Sequence, residues 1–472
     1  MKMTVLFTGL LICLIASAGT QEVRQEFMSL YYKGEYEKAH ALIDNAISDE
    51  VARQIWDSRI HIQSEISGCH RPTNASIQAF ARLCIGQFEN AQQSFSDDWI
   101  SLWAKATYSY WNADILSARK QIEQALALQP QNPDLLFFAG DLAESSVKTI
   151  EYFDRFLKLQ SEDQVKRNIA EFSIGFLKKT AGMQLNIIRT EQGVQEIETD
   201  YEPSGVNIRA VLNSTEKMKL IVDTGAGSGL VLEKRKWTPQ IVNDVVMLGL
   251  GKKQISTSKR VVLDLFHAGK FTIQNPLATE NETMPFPDVD GLIGSAAFSS
   301  HRLLLPVKSG KNLVLLPYDM DPMDYFASKK LKFGKRVTFP FFVVNKLIIL
   351  KGRIKKSSGD LDILVDTGAD SSFISTAAAK RFATINYPLS LQLRKQTNIT
   401  GVGGKADNLL IAENVEVRIG QLSRNFNNML AVNFAETSEA LGLEIDLLLG
   451  RDFLEGYTLL IDYRNRQITF LK

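Results

Sequence analysis

The sequence predicts a multidomain chain, with an all-α helical half followed by an all-β half. Three observations carry this reading. Between residue 22 and about Leu177 proline is rare, and Ala, Leu, Gln, Glu and Lys, which favour helix, are common. Near Met183 the texture changes to short alternating segments, such as Val206 to Val211 and Val415 to Ile419, separated by turn signals such as Ser357-Ser358-Gly359-Asp360. Within this second half the tetrapeptide Asp-Thr-Gly-Ala occurs twice. It starts at Asp223 after Leu220-Ile221-Val222 and at Asp366 after Ile363-Leu364-Val365.

The chain has 472 residues, enough for about three domains. Its apolar content of 45% and charged content of 23% are those of a globular protein rather than a disordered one. A net charge of +1 without a long basic run argues against a nucleic-acid partner. Lys2, the apolar run from Val5 to Ala16 and the small residues Ala16-Ser17-Ala18 predict a signal peptide over residues 1–18. The run is shorter than the roughly 20 residues a membrane span needs. Export to the periplasm or the medium is expected, with no stable membrane span after cleavage; the competing reading is an uncleaved anchor. Cys69 and Cys84 then remain, as one disulfide or as two buried thiols.

A helical domain is expected over residues 22–180. In Leu30 to Ala39, Gly34 punctuates two helical runs, and Gly86-Gln87-Phe88-Glu89-Asn90-Ala91 carries a related pattern. Ala125 to Pro133 ends one helix and opens the next. Aromatic residues and alanines at these places resemble tetratricopeptide repeats, helix hairpins of about 34 residues that stack into a solenoid. The spacing is irregular, and a plain helical bundle is the alternative. The resemblance implies a module that holds a protein partner or substrate and supplies no chemistry.

In the β half, four features recur in the same order. A hairpin precedes each Asp-Thr-Gly: Asn207 to Leu220, and Ile349 to Leu361. A glycine-rich turn follows: Leu248 to Lys252 with Gly249 and Gly251, and Thr400 to Gly404 with Gly401 and Gly403. Then come Asp290-Gly291-Leu292-Ile293-Gly294 and Asp446-Leu447-Leu448-Leu449-Gly450, and each copy closes on strands. This places one unit at 200–318 and the other at 332–472, joined through Pro317 to Phe333.

These motifs resemble the pepsin and retropepsin superfamily of aspartic proteases over roughly residues 200 to 472. Ala226 and Ala369 at the fourth motif position are nearer the retroviral form. The resemblance implies a bilobal acid-protease fold in which Asp223 and Asp366 meet as a catalytic dyad. Thr224 and Thr367 would bond across the seam, Gly225 and Gly368 would permit the sharp turn, and the glycine-rich turns would be flaps. Two adjacent carboxylates share one proton, so the pair activates a water for attack on a peptide carbonyl. Neither aspartate is singled out as the base, because the pair titrates as a unit. Without a hydroxyl at the fourth position, the dyad is expected to be less acid-shifted than in pepsin. The Leu-Ile-Gly and Leu-Leu-Gly runs are expected to pass beneath the aspartates.

Other signals are set aside. Asp362, Asp366 and Asp370 straddle a strand and a turn and share no metal-binding face; Asp370 is expected to cap the helix-like run Ser375 to Phe382. None of the five histidines forms a His-x-x-x-His pair. No metal or other cofactor is expected. The expected function is an aspartic endopeptidase acting as a monomer on a polypeptide substrate; the alternative is a catalytically silent peptide-binding scaffold.

Overall fold

The computed structural model describes Leu83, Gln92 and residues 95–472, except 160, 162, 190–192, 203, 228, 235–238, 249–254, 283, 285, 287, 308–311, 356, 358–359, 387–398, 402–403, 407–409, 435–436 and 439–440. The signal peptide, Cys69, Cys84, the first two repeat-like segments and the flap candidates Gly249, Gly251 and Gly403 therefore lie outside the described residues.

Helices form where capping side chains and apolar stripes coincide. Helices α1 (Trp99–Trp111), α2 (Ile115–Leu128), α3 (Pro133–Leu142), α4 (Ser146–Lys158) and α5 (Gln164–Lys179) follow one another through short turns. Asp98, Asp114, Asn132 and Ser145 each accept a backbone N–H of the first turn at the starts of α1 to α4. Pro133 stands at the first turn of α3, where its missing N–H costs no helical bond. Helices α1 and α2 pack together, as do α3 and α4. A β-carbon on Gly140 would lie 2.4 Å from the Phe153 ring, so α3 and α4 cross closely. Phe137 closes this contact with ring centroids 5.5 Å from Phe153 and 5.4 Å from Phe156.

Two units divide the chain. One holds residues 1–177 with 376–385 and 433–444; the other holds 178–375, 386–432 and 445–472. Two pieces of the segment expected as the second β unit thus group with the helices, among them the helix Thr376–Phe382.

The β-rich unit repeats one strand order. In the first sheet the strands Gly205–Leu212, Glu216–Asp223, Gly291–Gly294, Leu230–Glu233, Leu277–Asn281 and Ile255–Val262 lie side by side. In the second, Leu347–Ile354, Leu361–Val365, Leu447–Leu449, Phe373–Ser375, Leu422–Val432 and Leu410–Ile419 take the same places. The directions agree as well. In each set the aspartate strand runs parallel to the Gly-closing strand, which is antiparallel to the next. The aspartate strands are central, and Leu220, Ile221 and Val222 are fully buried, which explains apolar runs in place of alternation. The Leu-Ile-Gly and Leu-Leu-Gly runs therefore lie beside the aspartate strands in the same sheet, hydrogen-bonded to them, and not beneath them.

The closing strands merge into one six-stranded sheet, ordered Arg336–Pro340, Gln467–Leu471, Thr458–Asp462, Arg302–Pro306, Leu313–Leu316, Gln195–Ile197. The joint between the copies is packed onto it. Asp321 caps a helix, Pro322–Ser328, whose Tyr325 and Phe326 are buried against Leu304, Val314, Leu316 and Leu471. Its proline and aspartate open a helix instead of breaking structure, which the absence of β alternation did not reveal.

Candidate active site

Asp223 ends its strand, and Asp366 follows directly on the end of the strand Leu361–Val365. The parallel ladder places Gly294 opposite Asp223, and the Asp366 N–H donates to the Leu449 carbonyl at 2.9 Å. An aspartate in each half pins this ladder. Asp290 accepts the Lys219 N–H at 2.7 Å, and Asp446 accepts the Asp362 N–H at 3.0 Å. Neither residue had been assigned a role from the sequence. The signal was present as an acid opening each Gly-closing run.

The two Asp-Thr-Gly loops interlock. The Thr224 hydroxyl donates to the Val365 carbonyl at 2.7 Å, and the Thr367 hydroxyl donates to the Val222 carbonyl at 2.8 Å. Each hydroxyl oxygen also accepts the backbone N–H of the opposite threonine, at 3.1 Å from Thr224 and 3.0 Å from Thr367. Both threonines are buried, so these four bonds are made out of water and leave no polar group orphaned.

The grip brings the carboxylates together. A β-carbon on Gly225 would lie 2.5 Å from Cγ of Asp366, and one on Gly368 would lie 2.6 Å from Cγ of Asp223. Each loop thus needs glycine because the opposing carboxylate fills the space of a side chain. The Gly225 N–H donates to Asp223 Oδ1 at 2.7 Å; the N–H groups of Gly368 and Ala369 donate to Asp366 Oδ1 at 2.9 Å. The aspartates also hydrogen-bond to one another through their side chains. Burial raises Asp223 above the usual carboxylate range against these hydrogen bonds. Asp366 is raised well above it, first by burial and then by the charge of Asp223 and the hydrogen bond to it. A pair that holds one proton between two oxygens can accept a proton from water and donate one to a carbonyl oxygen. Residues 350–453 match the aspartyl protease family model. That stretch includes Asp366, Thr367 and Gly368; Asp223 lies outside it. No curated protein matches the chain. The chain is similar to the solved aspartic proteinase from Irpex lacteus, with 14% identity, 59% of this chain and 97% of that chain covered, and a TM-score of 0.37.

Around the dyad the halves differ. Asp370 forms an ion pair with Arg451, which is almost fully buried, so its expected capping role is replaced by charge neutralisation. A β-carbon on Gly205, which has φ +119°, would lie 2.9 Å from Nη1 of Arg451, and the Arg451 Nη1 also donates to the Glu202 carbonyl at 3.4 Å. The first half has Gly227 and Ser295 in the places of Asp370 and Arg451. There the Ser295 hydroxyl and the Tyr463 phenol share a buried hydrogen bond of 2.6 Å.

Of the flap candidates, Gly401 is described. It pairs with Gly404 in a small hairpin, Ile399–Gly401 with Gly404–Ala406, which forms a sheet of its own. The first glycine-rich turn is flanked by the antiparallel strands Ile241–Leu248 and Ile255–Val262.

Proposed function

We propose that this chain is an aspartic endopeptidase in which Asp223 and Asp366 act as one dyad. The observation that carries the reading is the reciprocal placement of each carboxylate over the glycine of the opposite loop. Burying two acids together is costly and is characteristic of sites that use a shared proton. The family match over residues 350–453 supports aspartic peptidase activity. The ionised member takes a proton from water, the hydroxide equivalent attacks the peptide carbonyl, and the protonated member donates to the carbonyl oxygen.

In this reading the chain carries two fused retropepsin-like lobes, over 200–318 and 332–472, and works as a monomer on an extended polypeptide. Strand-like backbone pairing holds the substrate, and the glycine-rich turns close over it. The helical half, with tetratricopeptide-like hairpins, recruits substrate or a partner. The protein is exported after removal of residues 1–18.

The test is cleavage of a mixed peptide library across pH, with Asp223→Asn and Asp366→Asn as controls. Either change is expected to abolish cleavage and leave peptide binding intact. Unchanged cleavage in both variants would falsify the dyad. Binding without cleavage in the unaltered chain would favour the silent scaffold.

A further inference from the structure

The two aspartate loops are held by different means. In the second half, the loop after Asp366 is laced to the start of the helix Arg451–Leu454. The Asp452 carboxylate accepts the Ser372 N–H at 2.9 Å and the Ser372 hydroxyl at 2.5 Å. The same hydroxyl oxygen accepts the Gly450 N–H at 3.0 Å. Backbone bonds run alongside. The Arg451 N–H donates to the Ala369 carbonyl at 2.8 Å, and the Asp452 N–H donates to the Asp370 carbonyl at 3.2 Å. Ser372 is buried, and a β-carbon on Gly450 would lie 2.4 Å from the Ser371 carbonyl, so loop and helix start are in direct contact.

Ala369 carries this lacing to the dyad. Its carbonyl is held by Arg451, and its N–H donates to Asp366 Oδ1 at 2.9 Å. The first half has different residues at the same places. Counted from the aspartates, Gly229 stands where Ser372 does. Counted from Gly294 and Gly450, Ala296 stands where Asp452 does. There the Gly294 N–H donates to the Gly229 carbonyl at 2.6 Å, a backbone bond in place of the hydroxyl. Gly229 has φ +84°, a conformation that suits glycine better than serine.

We propose that Ser372 and Asp452 are positioning residues for the reaction: through Ala369 they hold an N–H on Oδ1 of Asp366 and fix that carboxylate, a brace for which the first half has no matching side chains. This rests on the peptidase reading above. A buried hydroxyl with both its bonds made resists displacement, because each orphaned partner is costly. An N–H donated to a carboxylate favours the ionised form. The Ala369 and Gly368 N–H groups thus oppose the rise that burial and Asp223 impose on Asp366, and loosening Ala369 moves the dyad to higher pH. The charged groups around the brace are Asp223 across the seam, the Asp370–Arg451 ion pair and Asp452. Ser372→Ala alters none of them.

Two arms test it on the full chain. In the first, Ser372→Ala and Ser372→Gly, the latter copying the first half, are compared with the parent in peptide cleavage across pH. A fall of about tenfold in kcat with KM unchanged is expected, with both limbs of the profile moved to higher pH. Ser372→Thr keeps the hydroxyl and restores both. In the second arm, protein isotope-labelled at the aspartate carboxyls is titrated by NMR, the dyad signals being those altered in Asp223→Asn and Asp366→Asn. The dyad midpoint is expected at higher pH in Ser372→Ala and at the parental value in Ser372→Thr. That shift supports the brace even where no peptide is cut, an outcome that defeats only the peptidase reading. A role confined to folding would lower the denaturant midpoint and leave kcat and the dyad titration unmoved. Parental kcat and titration in Ser372→Ala and Ser372→Gly overturn the brace while leaving the dyad untouched.

Discussion

Thr224 and Thr367 each donate a backbone N–H to the hydroxyl oxygen of the other, at 3.1 and 3.0 Å. Each hydroxyl then donates to a carbonyl of the opposite aspartate strand. Replacing either by valine keeps the shape and orphans a buried N–H and a buried C=O. Each orphaned group costs about 1–3 kcal/mol. Thr224→Val and Thr367→Val are therefore expected to lower stability to chemical denaturation. Each change breaks a different two of the four bonds, but these bonds form one network across the seam, so the double variant is expected to lose less than the sum as the first change loosens what the second breaks. Additive losses would show that the two hydroxyls act independently.

Gly225 and Gly368 are held to glycine by the carboxylate opposite, not by an unusual φ. Gly225→Ala puts a methyl group 2.5 Å from Cγ of Asp366, and the carboxylate must move. Displacement of a reacting group by about 1 Å can cost 100-fold in rate. Each alanine variant is expected to fold and to lose about 100-fold in kcat/KM. A variant within a factor of two of the parent would show that the loops open without consequence.

The pH profile follows from the shared proton. Burial raises both aspartates, and the neighbouring charge raises Asp366 further. Activity needs one proton on the pair. It falls at low pH as the pair gains a second and at high pH as it loses the last. The alkaline limb of kcat/KM is thus expected well above pH 4, the ordinary carboxylate range. An alkaline limb centred near pH 4 would contradict the buried geometry.

Asp362 gives a stability test away from the dyad. It is buried, and burial raises it to about 6 although Lys351 opposes the shift. Its folded value lies above its unfolded value, so its stabilising contribution is full below about pH 4 and is lost as pH rises through 6. Two units correspond to about 3 kcal/mol at most. The Asp362→Asn variant is expected to gain on the parent in denaturant midpoint as pH rises from 4 to 7. Parallel curves for the two proteins would place the ionised carboxylate at no cost, contrary to its burial.

The halves were legible because their constraints are local. An apolar run, an acid, a hydroxyl and a glycine in series report a strand end that must turn beside another chain segment. Asp223 and Asp366 were found this way, and the strands around them fell near the expected bounds. What sequence reading missed was long-range. The Ser295–Tyr463 hydroxyl pair spans 168 positions, and no periodicity links its members. The Asp370–Arg451 ion pair likewise joins the loop after Asp366 to the short helix Arg451–Leu454 much later in the chain, so Asp370 looked like a capping residue. The helix Pro322–Ser328 was read as a bare joint, because about two turns with two inward aromatic residues are too short to show a period. The regrouping of 376–385 and 433–444 also leaves no local mark.

In an assembly of two identical subunits, every substitution appears on both sides of the seam at once. Here one polypeptide encodes both sides, so Gly227 and Asp370 were free to diverge while the aspartates beside them stayed matched. On the proposed peptidase reading, such a molecule can tell the two ends of its substrate apart, and the direction in which a peptide lies across the site becomes a heritable trait.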